Sequence, residues 1–334
     1  MARTIVILHP GGLGDVLLAV PAIRALRDRF SSNQFLLCAQ SQAAELLHDC
    51  GIVDRWISVE STTCAALFGG ASPVDPVLRD WLSRCDLAVA WTHDDAGVLA
   101  ATLKGCGAAA VVVGSPFAFT VSSIHQSDRF SEIIVGQVGQ VVMTTLLVPK
   151  ALRTEAESYL ATCGFAGGRP LALVHPGSGS RHKCAAPEVL LPVLEGLEAD
   201  GLELLLLEGP ADQDLVARLV SRMARRPVLV RGLSVRLLAG VLSKVDLFLG
   251  HDSGVTHLAA LLGTPTVGLF GPSNPARWSP RGPFVRVIHE QPCQCHSWAA
   301  VTNCVRKPCL ELSAQAILAA SRSVRPVGVT PRIS

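Results

Sequence analysis

Residues 246–257 read Asp246-Leu247-Phe248-Leu249-Gly250-His251-Asp252-Ser253-Gly254-Val255-Thr256-His257. A short apolar run ends at a glycine, small polar residues follow, and an apolar pattern of helical spacing begins. The stretch predicts a strand over Asp246–Leu249, a tight turn, and a helix from Val255 to Leu262. Glycine permits the sharp turn. The first helical N–H groups have no partner within their own helix, so they point at whatever lies over the loop. A strand over Thr266–Phe270 comes next, and strand–loop–helix–strand of this kind belongs to a parallel sheet covered on both faces.

Working outward, the same pattern recurs. Before this stretch stand a strand at Leu171–His175, a helix at about Pro187–Ala199, a strand at Leu202–Leu207, a helix at Asp212–Met223 and a short strand at Val228–Val230. A helix at Val235–Leu242 follows, with Ser234 as its cap. The first half starts the pattern independently. Thr4–Leu8 is a β-branched apolar run, and Val16, Leu17, Val20, Ile23 and Leu26 repeat at helical spacing over Asp15–Arg29. Pro21 inside that stretch either kinks the helix or marks its start. Strands at Phe35–Ala39, Asp86–Ala90 and Ala109–Val113 and a helix at Ala43–His48 complete the set. Two restarts predict an α/β protein of two Rossmann-like domains, with boundaries at 1–165 and 166–334, where Pro149 and Gly167-Gly168-Arg169-Pro170 interrupt the pattern. A cleft between the domains is the expected ligand site.

Three loops carry candidate chemistry. In Asp252-Ser253-Gly254-Val255-Thr256-His257, a helix N-terminus with two hydroxyls suits phosphate, while Asp252 suits a ribose or the orientation of a neighbour. An ordinary capped helix is the plain alternative. In His175-Pro176-Gly177-Ser178-Gly179-Ser180-Arg181-His182-Lys183, small residues allow close backbone approach and Lys183 supplies a mobile charge, unless it is a solvated surface lysine. In His9-Pro10-Gly11-Gly12-Leu13-Gly14-Asp15, an acid stands at a helix start, as a cap or as a general base. The last loop is not a dinucleotide fingerprint, because Gly12-Leu13-Gly14-Asp15-Val16-Leu17 lacks the third glycine. Asp212-Gln213-Asp214 has the form of a metal-binding pair, yet it opens a helix, where the dipole favours acids anyway. His93-Asp94-Asp95 has no further ligand near it in sequence.

Composition bounds the rest. The chain has 334 residues, 49% hydrophobic and 17% charged, which suits two cores of ordinary size. No apolar run of ~18 residues is free of breaks, and the N-terminus leads straight into a strand, so neither a membrane span nor a signal peptide is expected, and the cytoplasm is the expected compartment. A net charge of +2 does not call for nucleic acid. The halves differ: 11 Lys/Arg against 15 Asp/Glu up to residue 165, and 18 against 12 beyond it. A basic second half suits an anionic ligand, or is a solvated imbalance. Of eleven cysteines, seven are scattered as small apolar residues, and Cys293, Cys295, Cys304 and Cys309 cluster late at spacings unlike a standard zinc site. They are expected to be packing.

Together these loops resemble the ADP-heptose:lipopolysaccharide heptosyltransferases, glycosyltransferase family nine. The resemblance rests on Gly11-Gly12-Leu13-Gly14-Asp15-Val16 with Pro21-Ala22; His175-Pro176-Gly177 with Lys183 and Pro187-Glu188; and Asp252-Ser253-Gly254 through His257-Leu258-Ala259-Ala260, Gly263-Thr264-Pro265 and Leu269-Phe270-Gly271-Pro272. It implies a GT-B fold, with a glycolipid or glycan acceptor on the N-terminal domain and a nucleotide sugar, ADP-linked, on the C-terminal one. It also implies inversion without metal or other cofactor, and peripheral contact with the inner membrane. Asp15 matches the family's base, within the acceptor loop of Gly11, Gly12 and Gly14. Lys183 matches its phosphate-binding lysine. The implied donor set is Ser178, Asp212, Leu233, Asp252, Ser253, Gly254, Val255, Thr256 and His257. A GT-B-like nucleotide-sugar epimerase and a non-catalytic nucleotide-binding protein are the alternative readings.

Overall fold

The computed structural model describes residues 2–69, 74–117, 124–165 and 168–325. Ala166 and Gly167, within the stretch read as an interruption, lie outside the described residues. The chain divides into two compact units, residues 1–144 and 145–334.

The first unit holds five parallel strands: β1 (Thr4–His9), β2 (Gln34–Ala39), β3 (Arg55–Ser58), β4 (Cys85–Ala90) and β5 (Ala110–Val113), in the order β3-β2-β1-β4-β5. β1 is buried along its whole length, which accounts for the apolar run Ile5–Leu8. The chain runs from β1 outward to β3 and then crosses to β4 on the other side. Between β1 and β4 the connections therefore diverge, which opens a crevice at the carboxyl ends of these strands.

The second unit repeats the plan with β6 (Leu171–His175), β7 (Glu203–Glu208), β8 (Val228–Arg231), β9 (Leu247–His251), β10 (Thr266–Leu269) and β11 (Val285–Ile288). Their order is β11-β10-β9-β6-β7-β8, all parallel. Here β6 and β9 flank the divergence. His175 lies opposite Gly250, so the loops after these two strands stand side by side. Two α/β units with parallel sheets are what the alternation of elements predicts. The edge strands β3 and β11, each of four residues with none fully buried, were not among the strands expected.

Two expectations change. The single helix read over Asp15–Arg29 is two, Leu13–Leu18 and Val20–Arg29, separated by Ala19. Proline has no N–H and its ring clashes with a carbonyl one turn earlier, so Pro21 is accommodated in a first turn rather than mid-helix. Asp15 is thus the third residue of its helix.

The division between Thr144 and Thr145 falls ahead of the expected 165/166 boundary. The helix Lys150–Thr162 packs on the helix Val235–Leu242, and a Cβ on Gly240 would come within 2.5 Å of the Leu152 carbonyl oxygen. Lys244 pairs with Glu157 across the same contact. Local periodicity could not reveal that attachment. Among the described residues no helix is long and apolar enough to cross a membrane.

Candidate functional site

Each of the three loops follows a strand that ends in a buried histidine; His9 bonds within the loop it introduces, whereas His251 lies under the loop that follows His175. His9 closes β1, with 1% of its surface exposed. Its Nδ1 accepts the Gly11 N–H at 3.2 Å. Its ring centroid lies 5.7 Å from that of Trp91 and 5.0 Å from that of Phe130. Burial lowers its pKa to about 4, so it is a neutral acceptor at pH 7. A Cβ on Gly11 would sit 2.8 Å from both His9 Cε1 and Asp15 Cβ. Only glycine fits between the two side chains.

Asp15 accepts the Gly12 N–H on Oδ2 at 3.2 Å and so caps its own helix. The capping reading of Asp15 is therefore realised, and it holds the carboxylate at the carboxyl end of β1. Gly14 is part of the same turn of helix. A cavity of about 400 Å³ opens beyond β4 and β5 in this unit. Its lining includes His93, Lys104 and Ser115, and His93 Nε2 lies 2.9 Å from Ser115 Oγ.

In the second unit the loops after β6 and β9 interlock. Ser178 donates its hydroxyl to the Asp252 carbonyl oxygen at 2.7 Å. Lys183 Nζ donates to Asp252 Oδ2 at 2.7 Å, and His257 Nε2 lies 3.8 Å from Oδ1 of the same carboxylate. Asp252 and His257 are buried, whereas Lys183 keeps 27% of its side chain exposed. A buried carboxylate thus holds the lysine's ammonium by one of its three N–H donors. Ser253 caps the helix Gly254–Leu261, its Oγ accepting the Thr256 N–H. The Thr256 hydroxyl donates to the His251 carbonyl, which ties that helix start to the end of β9. Gly254 and Val255 form the first helical positions, partly exposed.

His251 is fully buried and its Nε2 accepts the Ala185 N–H at 2.9 Å, linking the two loops from below. Burial lowers its pKa to about 4, with the neighbouring His175 acting in the same direction. His175 Nε2 lies 3.0 Å from Asp212 Oδ2, and the same oxygen accepts the Gly209 N–H at 3.1 Å. Burial alone would raise the Asp212 pKa. The His175 contact and the Gly209 and Ser178 amides outweigh it and hold the carboxyl below its usual range. A Cβ on Gly177 would lie 1.9 Å from Asp212 Cγ, so the His175-Pro176-Gly177 turn is pressed directly onto that carboxylate. Asp212, named in the implied donor set and as half of a possible metal pair, here fastens the loop. Leu233 follows β8 at the same end of the sheet, half-buried after Gly232 at φ 65°.

The structure therefore brings Ser178, Lys183, Asp252, Ser253, Thr256 and His257 into one cluster, with Asp212 beneath it. Sequence reading missed the buried roles of His9, His175 and His251, although the repeated placement of a histidine at the strand end was visible. It also missed Trp298, whose ring centroid lies 6.0 Å from Lys183 Nζ. A cavity of about 480 Å³ lies alongside, lined among others by Arg181, Cys184, Asp212, Arg218 and Lys307.

The arrangement suits an anion held against a helix start by one lysine. The model of "Glycosyltransferase family 9 (heptosyltransferase)" matches residues 138–307, which contain the whole cluster. The chain is 28% identical over 144 residues to lipopolysaccharide heptosyltransferase 3 of Escherichia coli, and the match spans 42% of each protein. Among solved structures, a family 9 glycosyl transferase from Veillonella parvula superposes with a TM-score of 0.80 at 18% identity, covering 96% of this chain and 97% of that one. The E. coli ADP-heptose LPS heptosyltransferase II superposes with a TM-score of 0.73 at 17% identity, covering 96% and 98%. At those identities the likeness concerns the fold, and it spans both units: the fold is GT-B.

Proposed function

The chain belongs to glycosyltransferase family 9, the heptosyltransferases, and from that premise we propose that it transfers a sugar, heptose from an ADP-linked donor, to a lipopolysaccharide core or related glycan acceptor. The observation that carries the reading is the Lys183–Asp252 pair beside the start of the Gly254–Leu261 helix. A nucleoside diphosphate placed there meets the lysine's spare N–H donors and the positive end of the helix dipole. Ser253 adds a hydroxyl at the same place, whereas that of Thr256 is committed to the His251 carbonyl and holds the helix start.

The step we propose is a displacement at the anomeric carbon. Asp15 takes the proton from an acceptor hydroxyl, whose oxygen forms the new C1–O bond. The bond from C1 to the diphosphate oxygen breaks on the opposite face, which inverts the configuration. The electron pair leaves with the nucleoside diphosphate. Its growing charge is met by Lys183 and the helix N-terminus, which are already oriented, so no divalent cation is required. The engagement of Asp212 with His175 and the Gly209 amide supports the metal-free reading, because its Oδ2 is committed to the loop by both contacts. The first unit would hold the acceptor, and the cavity beyond β4 and β5 supplies room at the carboxyl end of its sheet. An acceptor of this class is lipid-anchored, so we place the protein in the cytoplasm, in peripheral contact with the inner membrane.

The test is a transfer assay with ADP-heptose and a lipopolysaccharide-core acceptor, run with and without EDTA. Product of inverted configuration at equal rates in both is the expected result. Activity abolished by EDTA and restored by Mg²⁺ or Mn²⁺ would remove the metal-free mechanism, and turnover of donor without any acceptor would remove the transferase reading.

A further inference from the structure

The segment after β11 takes no part in the mechanism above, yet it reaches the Lys183 loop twice. Lys307, in the left-handed region at φ 47°, donates to the Arg181 carbonyl oxygen at 3.2 Å. Trp298 opens a short helix capped by Ser297, whose Oγ accepts the Ala300 N–H at 3.1 Å. Its indole faces Lys183 Nζ at 6.0 Å while half of its surface remains exposed.

The segment is anchored behind that contact. Cys295 interacts with Cys293 and Cys304, and Cys309 with Cys293. Leu310 fills the space above Gly271, where a Cβ would come within 2.4 Å of its side chain. The Phe270-Gly271-Pro272 turn is thus the seat of the segment that carries Trp298.

We propose that Trp298 is a positioning residue for Lys183, holding the ammonium over the donor loop when Asp252 shares it with the donor diphosphate. The proposal rests on the reading of Lys183 as a diphosphate contact. A lysine has a long, flexible stem, and among the described residues its Nζ has its hydrogen-bonded anchor in Asp252. Phosphate and Asp252 then compete for one cation. An aromatic face attracts that cation through its quadrupole and has no lone pair in the ring plane to occupy an N–H, so it anchors Lys183 without consuming a donor. Both groups are partly exposed, which keeps the effect small. An exposed cation–π pair of ~0.5–1 kcal/mol corresponds to a two- to fivefold change in affinity.

The experiment is calorimetric titration of ADP into the full chain and into Trp298→Phe, Trp298→Leu, Lys183→Ala and the Trp298→Leu/Lys183→Ala double variant, with thermal unfolding of each recorded alongside. Leucine keeps apolar bulk and loses the quadrupole, and phenylalanine retains part of it. The expected result is a two- to fivefold weaker Kd for Trp298→Leu, a smaller loss for Trp298→Phe, and no further loss when Trp298→Leu is added to Lys183→Ala. Parent-like binding by Trp298→Leu beside a weakened Lys183→Ala would overturn this proposal alone. An undiminished loss in the double variant would overturn it too, because the ring would then act without the lysine. Parent-like binding by Lys183→Ala would remove the diphosphate reading of Lys183 itself.

Discussion

Gly177→Ala is the substitution that most directly probes how the Lys183 loop is built. A methyl group at Gly177 would lie 1.9 Å from Asp212 Cγ and Oδ1 and 2.2 Å from Oδ2. Rotation about χ2 leaves Cγ in place, so either the turn must shift or Asp212 must swing to another χ1 rotamer. Displacing Asp212 strains or breaks its contacts with His175 and the Gly209 amide, and a charged hydrogen bond of this kind is worth ~1.5–3 kcal/mol. Overpacking a rigid site adds ~1–3 kcal/mol. We expect a loss of about 3 kcal/mol in the second unit, which lowers its unfolding midpoint by ~6–12 °C. ADP binding should weaken as well, because Ser178, next in the chain, holds the Asp252 carbonyl. Gly179→Ala is the matched control, since nothing lies within 4 Å of a Cβ there. The assay is thermal and urea unfolding of both variants together with ADP titration. Equal stability of Gly177→Ala and Gly179→Ala would refute the close approach and the fastening role of Asp212.

Two further outcomes follow from the same geometry. Asp15→Asn keeps the cap and removes the base, so transfer should fall by ~10²–10⁴-fold with donor affinity unchanged; a rate within a few-fold of the parent would leave Asp15 a cap alone. His9 and His251 have pKa values near 4 against 6.5 when unfolded. The unfolded chain therefore binds more protons between those values, and stability present above pH 6.5 is lost as pH falls toward 4, by about 2 kcal/mol per histidine at pH 5. One histidine lies in each unit, so urea titrations at pH 7 and pH 5 should show both units weakened, and equal midpoints would show that these imidazoles are not buried.

The sequence carries whatever repeats locally. Apolar strands such as Thr4–His9 and Leu171–His175, the glycine loops after them and the Ser234 cap are short-range patterns, and their alternation suffices for two parallel-sheet units. The loops with Lys183, Asp252 and Asp15 were legible because glycine, hydroxyl and charge at a strand end carry their chemistry locally. Their partners were not. Gly177 against Asp212, His251 beneath Ala185, Trp298 facing Lys183 and the helix Lys150–Thr162 on Gly240 join residues far apart in the chain. Such contacts leave no periodic trace, because they depend on which strands become neighbours in the sheet. The break at Ala19 marks the boundary between the two kinds of information: Pro21 announced an irregularity, but only packing decided that it would start a second helix and leave Asp15 capping the first.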